Sequence, residues 1–196
     1  MNTRTSEVCR ETKETKIKAV LDIDGTGSGD IKTGIAFLDH MLELFAKHGF
    51  FDLKLQAEGD LHIDCHHTME DIGIVLGEAL DKALGERAGI KRYGWCVLPM
   101  DEALVTVALD LSKRPYLVYD LEPPAQYIRE LDTRLFHEFF QALSVKAGMN
   151  LHIKLMAGSE VHHVFEAVFK AFAKALDQAV TLDERITGVL STKGVL

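Results

Sequence analysis

The chain has 196 residues, with 22 Lys and Arg against 30 Asp and Glu, and a formal net charge of −8 at pH 7. That balance argues against general nucleic-acid binding but leaves room for a small local basic pocket. An apolar content of 47% with 4 Pro fits a compact globule, and no apolar run approaches the roughly 18 residues of a membrane span.

Residues 1–18 are polar and lack the apolar stretch of a secretory signal. Residues 1–12 are expected to be a flexible segment, cleaved or disordered up to about Val8, ahead of a single catalytic domain over 13–196. Cys9, Cys65 and Cys96 have no CxxC spacing and cannot all pair, so a cytoplasmic protein with reduced thiols is expected.

Thr15–Asp24 alternates like a strand and runs into the turn signal Asp24-Gly25-Thr26-Gly27. Residues 35–48 carry apolar side chains at helical spacing and stop at Gly49. A strand is expected over 50–57 and a helix over 68–84. The second half repeats the order: strands at 102–111 and 114–121, a helix at 131–147 after the Pro123-Pro124 break, a strand at 150–157 and a helix at 162–180. Each half reads β-β-α-β-α, an internally duplicated α+β fold whose mixed sheets pack with helices into a sandwich. The halves run over about 13–95 and 96–185, and a C-terminal tail follows.

Residues 66–84 align with 162–180, and His66, His67, Glu70, Ala79, Leu80, Asp81 and Ala83 meet identical residues. Ligand-type residues superpose as well as apolar ones. Upstream, 52–57 aligns with 152–157, His40 falls opposite Glu138, and 20–23 aligns with 108–111.

The chemistry gathers in two segments, His66-His67-Thr68-Met69-Glu70 and His162-His163-Val164-Phe165-Glu166. On a helix the first His and the Glu stand at i and i+4, near one face. Imidazole with carboxylate is a donor set for Mn, Fe, Co, Ni or Zn. Adjacent residues diverge by about 100° on a helix, so His66 and His67, like His162 and His163, are assigned to different ions. Such sites would draw on both halves or on neighbouring subunits. Lys91-Arg92, Arg114, Lys170 and the tail Ser191-Thr192-Lys193-Gly194 are cations and hydroxyls suited to a phosphate. No P-loop and no GxGxxG is present.

Several long motifs appear in order: Gly34-Ile35-Ala36-Phe37-Leu38-Asp39-His40-Met41-Leu42, Asp64-Cys65-His66-His67-Thr68-Met69-Glu70-Asp71, Pro99-Met100-Asp101-Glu102-Ala103-Leu104, Asp110-Leu111-Ser112-Lys113-Arg114-Pro115-Tyr116, His162-His163-Val164-Phe165-Glu166-Ala167-Val168-Phe169-Lys170, and Ser191-Thr192-Lys193-Gly194-Val195-Leu196. Through these, from about Lys13 to the end, the chain resembles the imidazoleglycerol-phosphate dehydratases of histidine biosynthesis.

The resemblance implies a lyase that converts D-erythro-imidazoleglycerol phosphate into imidazoleacetol phosphate and water. It implies two Mn²⁺ per active site and a 24-mer with metal sites at subunit contacts. It assigns His40, His67, Glu70 and His163 to one ion, and His66, His162, Glu166 and Glu138 to the other. It places the phosphate on Arg92, Arg114, Lys170, Ser191 and Lys193, and it gives proton transfers to Glu14, Glu166 and His67. Cys65 stands where the family commonly has Asp, Ala36 where it often has Pro, and His137 neighbours Glu138. With no phosphatase domain ahead of the unit, a monofunctional enzyme is expected. A two-metal hydrolase or a metal-buffering protein would draw on the same residue types.

Overall fold

The computed structural model describes residues 4–196. In chain order the strands and helices are β1 (Thr5–Glu11), β2 (Thr15–Asp22), β3 (Gly29–Lys32), α1 (Ala36–Gly49), β4 (Asp52–Gly59), α2 (His66–Leu84), β5 (Tyr93–Met100), β6 (Ala103–Asp110), β7 (Tyr116–Asp120), β8 (Tyr127–Ile128), β9 (Leu131–Asp132), α3 (Leu135–Ala147), β10 (Asn150–Ala157) and α4 (Val161–Val180).

Two four-stranded sheets have the same plan, in spatial order β1-β2-β4-β3 and β5-β6-β10-β7. In each, two antiparallel pairings are followed by one parallel edge, β3 on β4 and β7 on β10. Helices α1 and α2 lie on the first sheet and α3 and α4 on the second, and the layers meet through α2 on α3 and α1 on α4. The expected duplicated α+β sandwich is therefore present, and each half adds a strand, β1 or β5, ahead of the β-β-α-β-α order. No helix among the described residues is long and apolar enough to cross a membrane.

The repeat is visible in burial. Leu38, Met41, Leu42, Phe45 and Ala46 of α1 are buried, as are Phe136, Phe139, Phe140, Leu143 and Ser144 at the matching turns of α3. That match places His40 opposite Glu138. Fully buried Phe136, Phe139, Phe140, Phe165, Phe169 and Phe172 fill the space between the layers, each removing a large apolar area from water.

Four expectations need correction. The segment 1–12 is not wholly flexible: residues 5–11 form β1, in antiparallel register with β2 from Thr5–Asp22 to Glu11–Lys16. Ser6 and Val8 face inward, too few apolar positions for the alternation to show in sequence. Residues 1–3 lie outside the described residues. Secondly, Leu131 and Asp132 belong to the β8–β9 hairpin and α3 starts at Leu135, because Asp132 turns its carboxylate to the backbone N–H of Arg134.

Thirdly, Gly49 lies in the last turn of α1, and Phe50 takes the left-handed cap at φ 59°. A Cβ at position 49 would stand 2.2 Å from the Phe51 ring, so close packing, not φ, demands glycine there. In the other half Gly148 takes the cap at φ 57°. Lastly, Asp52 matches Asn150 rather than His152, since Asp22 pairs with Asp52 where Asp110 pairs with Asn150. A slip of two residues keeps every side chain on its face, so pattern alone cannot detect it.

Candidate metal centre and phosphate cleft

Both His-His-x-x-Glu segments sit in the first turns of their helices, α2 and α4. In α4 the first His meets the Glu as the i, i+4 spacing requires: His162 Nε2 lies 3.1 Å from Glu166 Oε1. His40 comes across from α1 and places its own Nε2 3.0 Å from the same oxygen. Ligand atoms of His40, His162 and Glu166 all lie within 4.8 Å of one another. Two imidazole nitrogens and a carboxylate converging on one point suit a divalent transition metal, so the residues fit the ions that the resemblance implies.

Glu166 is 9% exposed. Burial alone would push its carboxyl up, but the Lys170 ammonium, 2.5 Å from Oε2, and the two imidazoles outweigh it and hold the pKa down at about 2. The carboxylate is thus charged and available as a ligand. Phe37 packs edge-on against His162, with ring centroids 5.2 Å apart, and fixes that imidazole from the apolar side.

The first half is more open. His66 Nε2 lies 3.7 Å from Glu70 Oε2, and both side chains are about half exposed. Glu138 occupies in α3 the place of His40 in α1; its carboxylate lies 3.0 Å from Nδ1 of His137, whose ring stands edge-on to Tyr119. Within one chain, then, His40 groups with His162 and Glu166. The division implied by the resemblance, with His40 beside His67 and Glu70, is not the grouping inside a single copy. The cause is the cross-layer pairing of α1 with α4.

The second His of each motif turns away, as the helical divergence requires. His67 Nδ1 lies 2.9 Å from Asp60 Oδ2 and 4.0 Å from Glu14 Oε2. His163 Nδ1 lies 2.8 Å from Glu102 Oε2. Asp60 raises the pKa of His67, and Glu102 raises that of His163. The hydrogen bond from His163 draws Glu102 down to about 2. Asp60 and Glu102 carried no assignment from sequence. The repeat holds the signal for Glu102: β1–β2 and β5–β6 share a register, which brings Glu14 and Glu102 to the same place in their hairpins.

Four of the five residues proposed for phosphate gather elsewhere. Arg92, Arg114, Ser191 and Lys193 line one cleft of about 760 Å³, together with Tyr93, Arg185 and Thr192. Arg92 is committed to holding it: Nε and one terminal nitrogen donate to Asp110 at 2.6 and 2.9 Å, and the other donates to the Leu190 carbonyl. These bonds tie the start of the tail to the body of the chain, with Gly89 N–H also donating to the Gly188 carbonyl. Lys170 stands apart, beside Glu166 and Met100.

Arg92 N–H donates to the Ala179 carbonyl at the far end of α4. Glu166 and Ala179 are separated along that helix by about 20 Å at 1.5 Å per residue. The His40–His162–Glu166 cluster and the cationic cleft of one copy thus lie at opposite ends of one helix, far beyond the span of a three-carbon arm.

Duplicated α+β halves, with imidazole and carboxylate groups paired at the helix starts and a cationic cleft at the other end, make the frame of an enzyme site. The family model for imidazoleglycerol-phosphate dehydratase matches residues 33–176. The chain is 58% identical over 193 residues to the imidazoleglycerol-phosphate dehydratase of Lachnoclostridium phytofermentans, covering 98% of each, and 56% identical to that of Acetivibrio thermocellus, covering 98% of this chain and 99% of the other. Among solved structures, the enzyme from Staphylococcus aureus superposes with a TM-score of 0.83 at 37% identity, covering 91% of this chain and 99% of that one. The enzyme from Pyrococcus furiosus, in complex with (S)-C348, gives 0.83 at 39% identity, covering 96% and 100%. The chain belongs to the imidazoleglycerol-phosphate dehydratase family.

Proposed function

We propose that this dehydratase removes water from D-erythro-imidazoleglycerol phosphate to give imidazoleacetol phosphate, in L-histidine biosynthesis in the cytoplasm. The observation that carries the proposal is the convergence of His40, His162 and Glu166 on one point, beside a half whose His66 and Glu70 echo it. The hydroxyl leaves from the carbon attached to the ring, its C–O bond broken with electrons supplied by the ring. The proton is lost from the next carbon, and the electron pair of that C–H bond passes through the new C=C bond back into the ring. Water has left, and the enol on that second carbon becomes the ketone while the ring-attached carbon takes up a proton. Two Mn²⁺ ions, or other divalent ions, would supply Lewis acidity to a ring nitrogen and a hydroxyl.

The chain's own groups do the rest. Glu166 and the first His of each motif present ligand atoms. Glu14, exposed with its carboxylate 4.0 Å from His67 Nδ1, moves the proton. Arg114, Ser191 and Lys193 bind the phosphate, and Lys170 adds a cation at the metal end; charge-assisted bonds of this kind orient the arm. Because cleft and cluster of one copy are about 20 Å apart, a complete site draws on more than one copy, which supports the expected 24-mer with metal sites at subunit contacts. Elemental analysis of the purified protein with a dehydration assay tests the reading. Bound transition metal and turnover of the imidazole substrate are expected; a metal-free protein that turns over, or a metal-loaded one acting only on phosphoesters, would overturn it.

A further inference from the structure

The duplication predicts that Glu14 should hold His67 as Glu102 holds His163, because both acids occupy one place in equivalent hairpins. In the second half the arrangement is closed. Glu102 Oε2 takes His163 Nδ1 at 2.8 Å, and Oε1 accepts the backbone N–H groups of Ser159 and Glu160. In the first half Glu14 stands off at 4.0 Å, and Asp60 has taken the Nδ1 position at 2.9 Å. Asp60 comes from the segment 60–65 between β4 and α2; the matching segment, 158–160, is shorter and reads Gly158-Ser159-Glu160. The backbone N–H of Asp60 donates to the Glu14 carbonyl, so the two acids are fixed side by side. Among the described residues the second carboxylate oxygen of Asp60 is buried without a partner.

We infer that Asp60 and Glu102 are positioning residues, each gripping Nδ1 of the second histidine of its motif and leaving Nε2 to an ion shared with another copy, and that Asp60 thereby releases Glu14 for proton transfer. Beside His163 Nε2 lie the Asp101 and Glu160 carboxylates, at 3.7 and 3.8 Å. A histidine ligand whose other nitrogen donates to a carboxylate has its tautomer and ring plane set in advance. Asp60 and Glu102 come from different elements, a loop and a hairpin, yet supply the same grip. This inference rests on the two-ion reading proposed above.

The test is Mn²⁺ titration of the assembled protein, with the free ion followed by electron paramagnetic resonance. Asp60→Ala should weaken Mn²⁺ binding by about 10–100-fold, and Asp60→Asn, whose amide oxygen can still accept from Nδ1–H, should recover part of it. His67→Ala sets the full loss. Glu14→Gln should bind Mn²⁺ like the wild type while kcat falls. Glu102→Gln has one amide oxygen for either the Ser159 and Glu160 N–H groups or His163 Nδ1–H, not both, and should weaken Mn²⁺ binding at least as much as Asp60→Asn does. Unchanged binding in Asp60→Ala beside a weakened His67→Ala overturns the inference and leaves the two-ion reading standing. Glu14→Gln weakening Mn²⁺ as much as Asp60→Ala overturns the division of labour. A wild type that binds no Mn²⁺ overturns both.

Discussion

The two halves share a sheet order, a helix register and a His-His-x-x-Glu segment, yet they have come to differ in where they put charge. In the second half Lys170 sits one turn beyond Glu166 and neutralises it in a buried setting. In the first half the matching residue is Ile74, and the charge lies instead in an Arg10–Asp71–Thr15 network that ties β1 and β2 to α2. Its counterparts Leu98 and Ala167 are apolar or small. The outer faces differ as well: β5 exposes Trp95 and Val97, whereas the outer face of β1 and β2 carries the Lys18–Glu7 pair. Duplication preserved the geometry that places ligands and left the surroundings free to specialise.

The sharpest break of that comparison is between the two glutamates. Glu166→Gln and Glu70→Gln should each lower turnover by about two orders of magnitude or more. Only Glu166→Gln should also lower the melting temperature, because it leaves the Lys170 ammonium, 15% exposed, without its counter-charge. Turnover with thermal melting of both variants checks this, and equal melting shifts would show the environments to be equivalent.

At the other end of α4, Arg114→Ala should raise KM by about ten- to hundred-fold, the equivalent of roughly 1.5–3 kcal/mol for one charged hydrogen bond. Metal content should not change. A dephosphorylated substrate should show no such discrimination between variant and wild type in the same steady-state assay.

The helix crossings separate the halves by a smaller margin. Gly77 of α2 lets α3 approach so closely that a Cβ would stand 2.7 Å from the Leu143 carbonyl oxygen. The matching residue of α4 is Ala173, fully buried. Gly77→Ala should therefore destabilise by about 1–3 kcal/mol, although helix propensity alone favours Ala by about 1 kcal/mol. Denaturant unfolding gives the sign directly.

The smallest effect is on pH. Asp52 accepts the backbone N–H groups of Ser28 and Thr26, and these bonds hold its carboxyl below the usual range. A group whose folded pKa is depressed stabilises fully above its ordinary value and loses that stabilisation as pH falls through the depressed one. The turn at 24–28 should loosen in acid below about pH 4, whereas Asn150, at the same place in the other half and donating to the Arg114 carbonyl, has nothing to titrate. Amide hydrogen exchange at residues 26 and 28 measures it.

Much of this was legible in the chain. The i, i+4 spacing of His162 and Glu166 is realised at 3.1 Å, and the divergence of adjacent histidines sends His67 and His163 to separate carboxylates. The α-helices were readable because their apolar period is long. Strand β5 was not, since its exposed Tyr93, Trp95 and Val97 blur the alternation. The pairing of α1 with α4 that brings His40 to Glu166 is tertiary, and no local spacing encodes it. Asp60 was illegible for the same reason: it reaches His67 through a loop longer than its counterpart, 158–160, in the repeat.

One copy holds its imidazole–carboxylate cluster and its cationic cleft at opposite ends of α4, and the proposed dehydration site therefore joins two copies. Co-expression of Glu166→Gln chains with Arg114→Ala chains tests it most directly, assayed at substrate well below the wild-type KM. Each variant alone should be nearly inactive there. Mixed assemblies should regain activity, because an intact cluster on one chain meets an intact cleft on another; mixed assemblies no more active than the variants alone would contradict the claim.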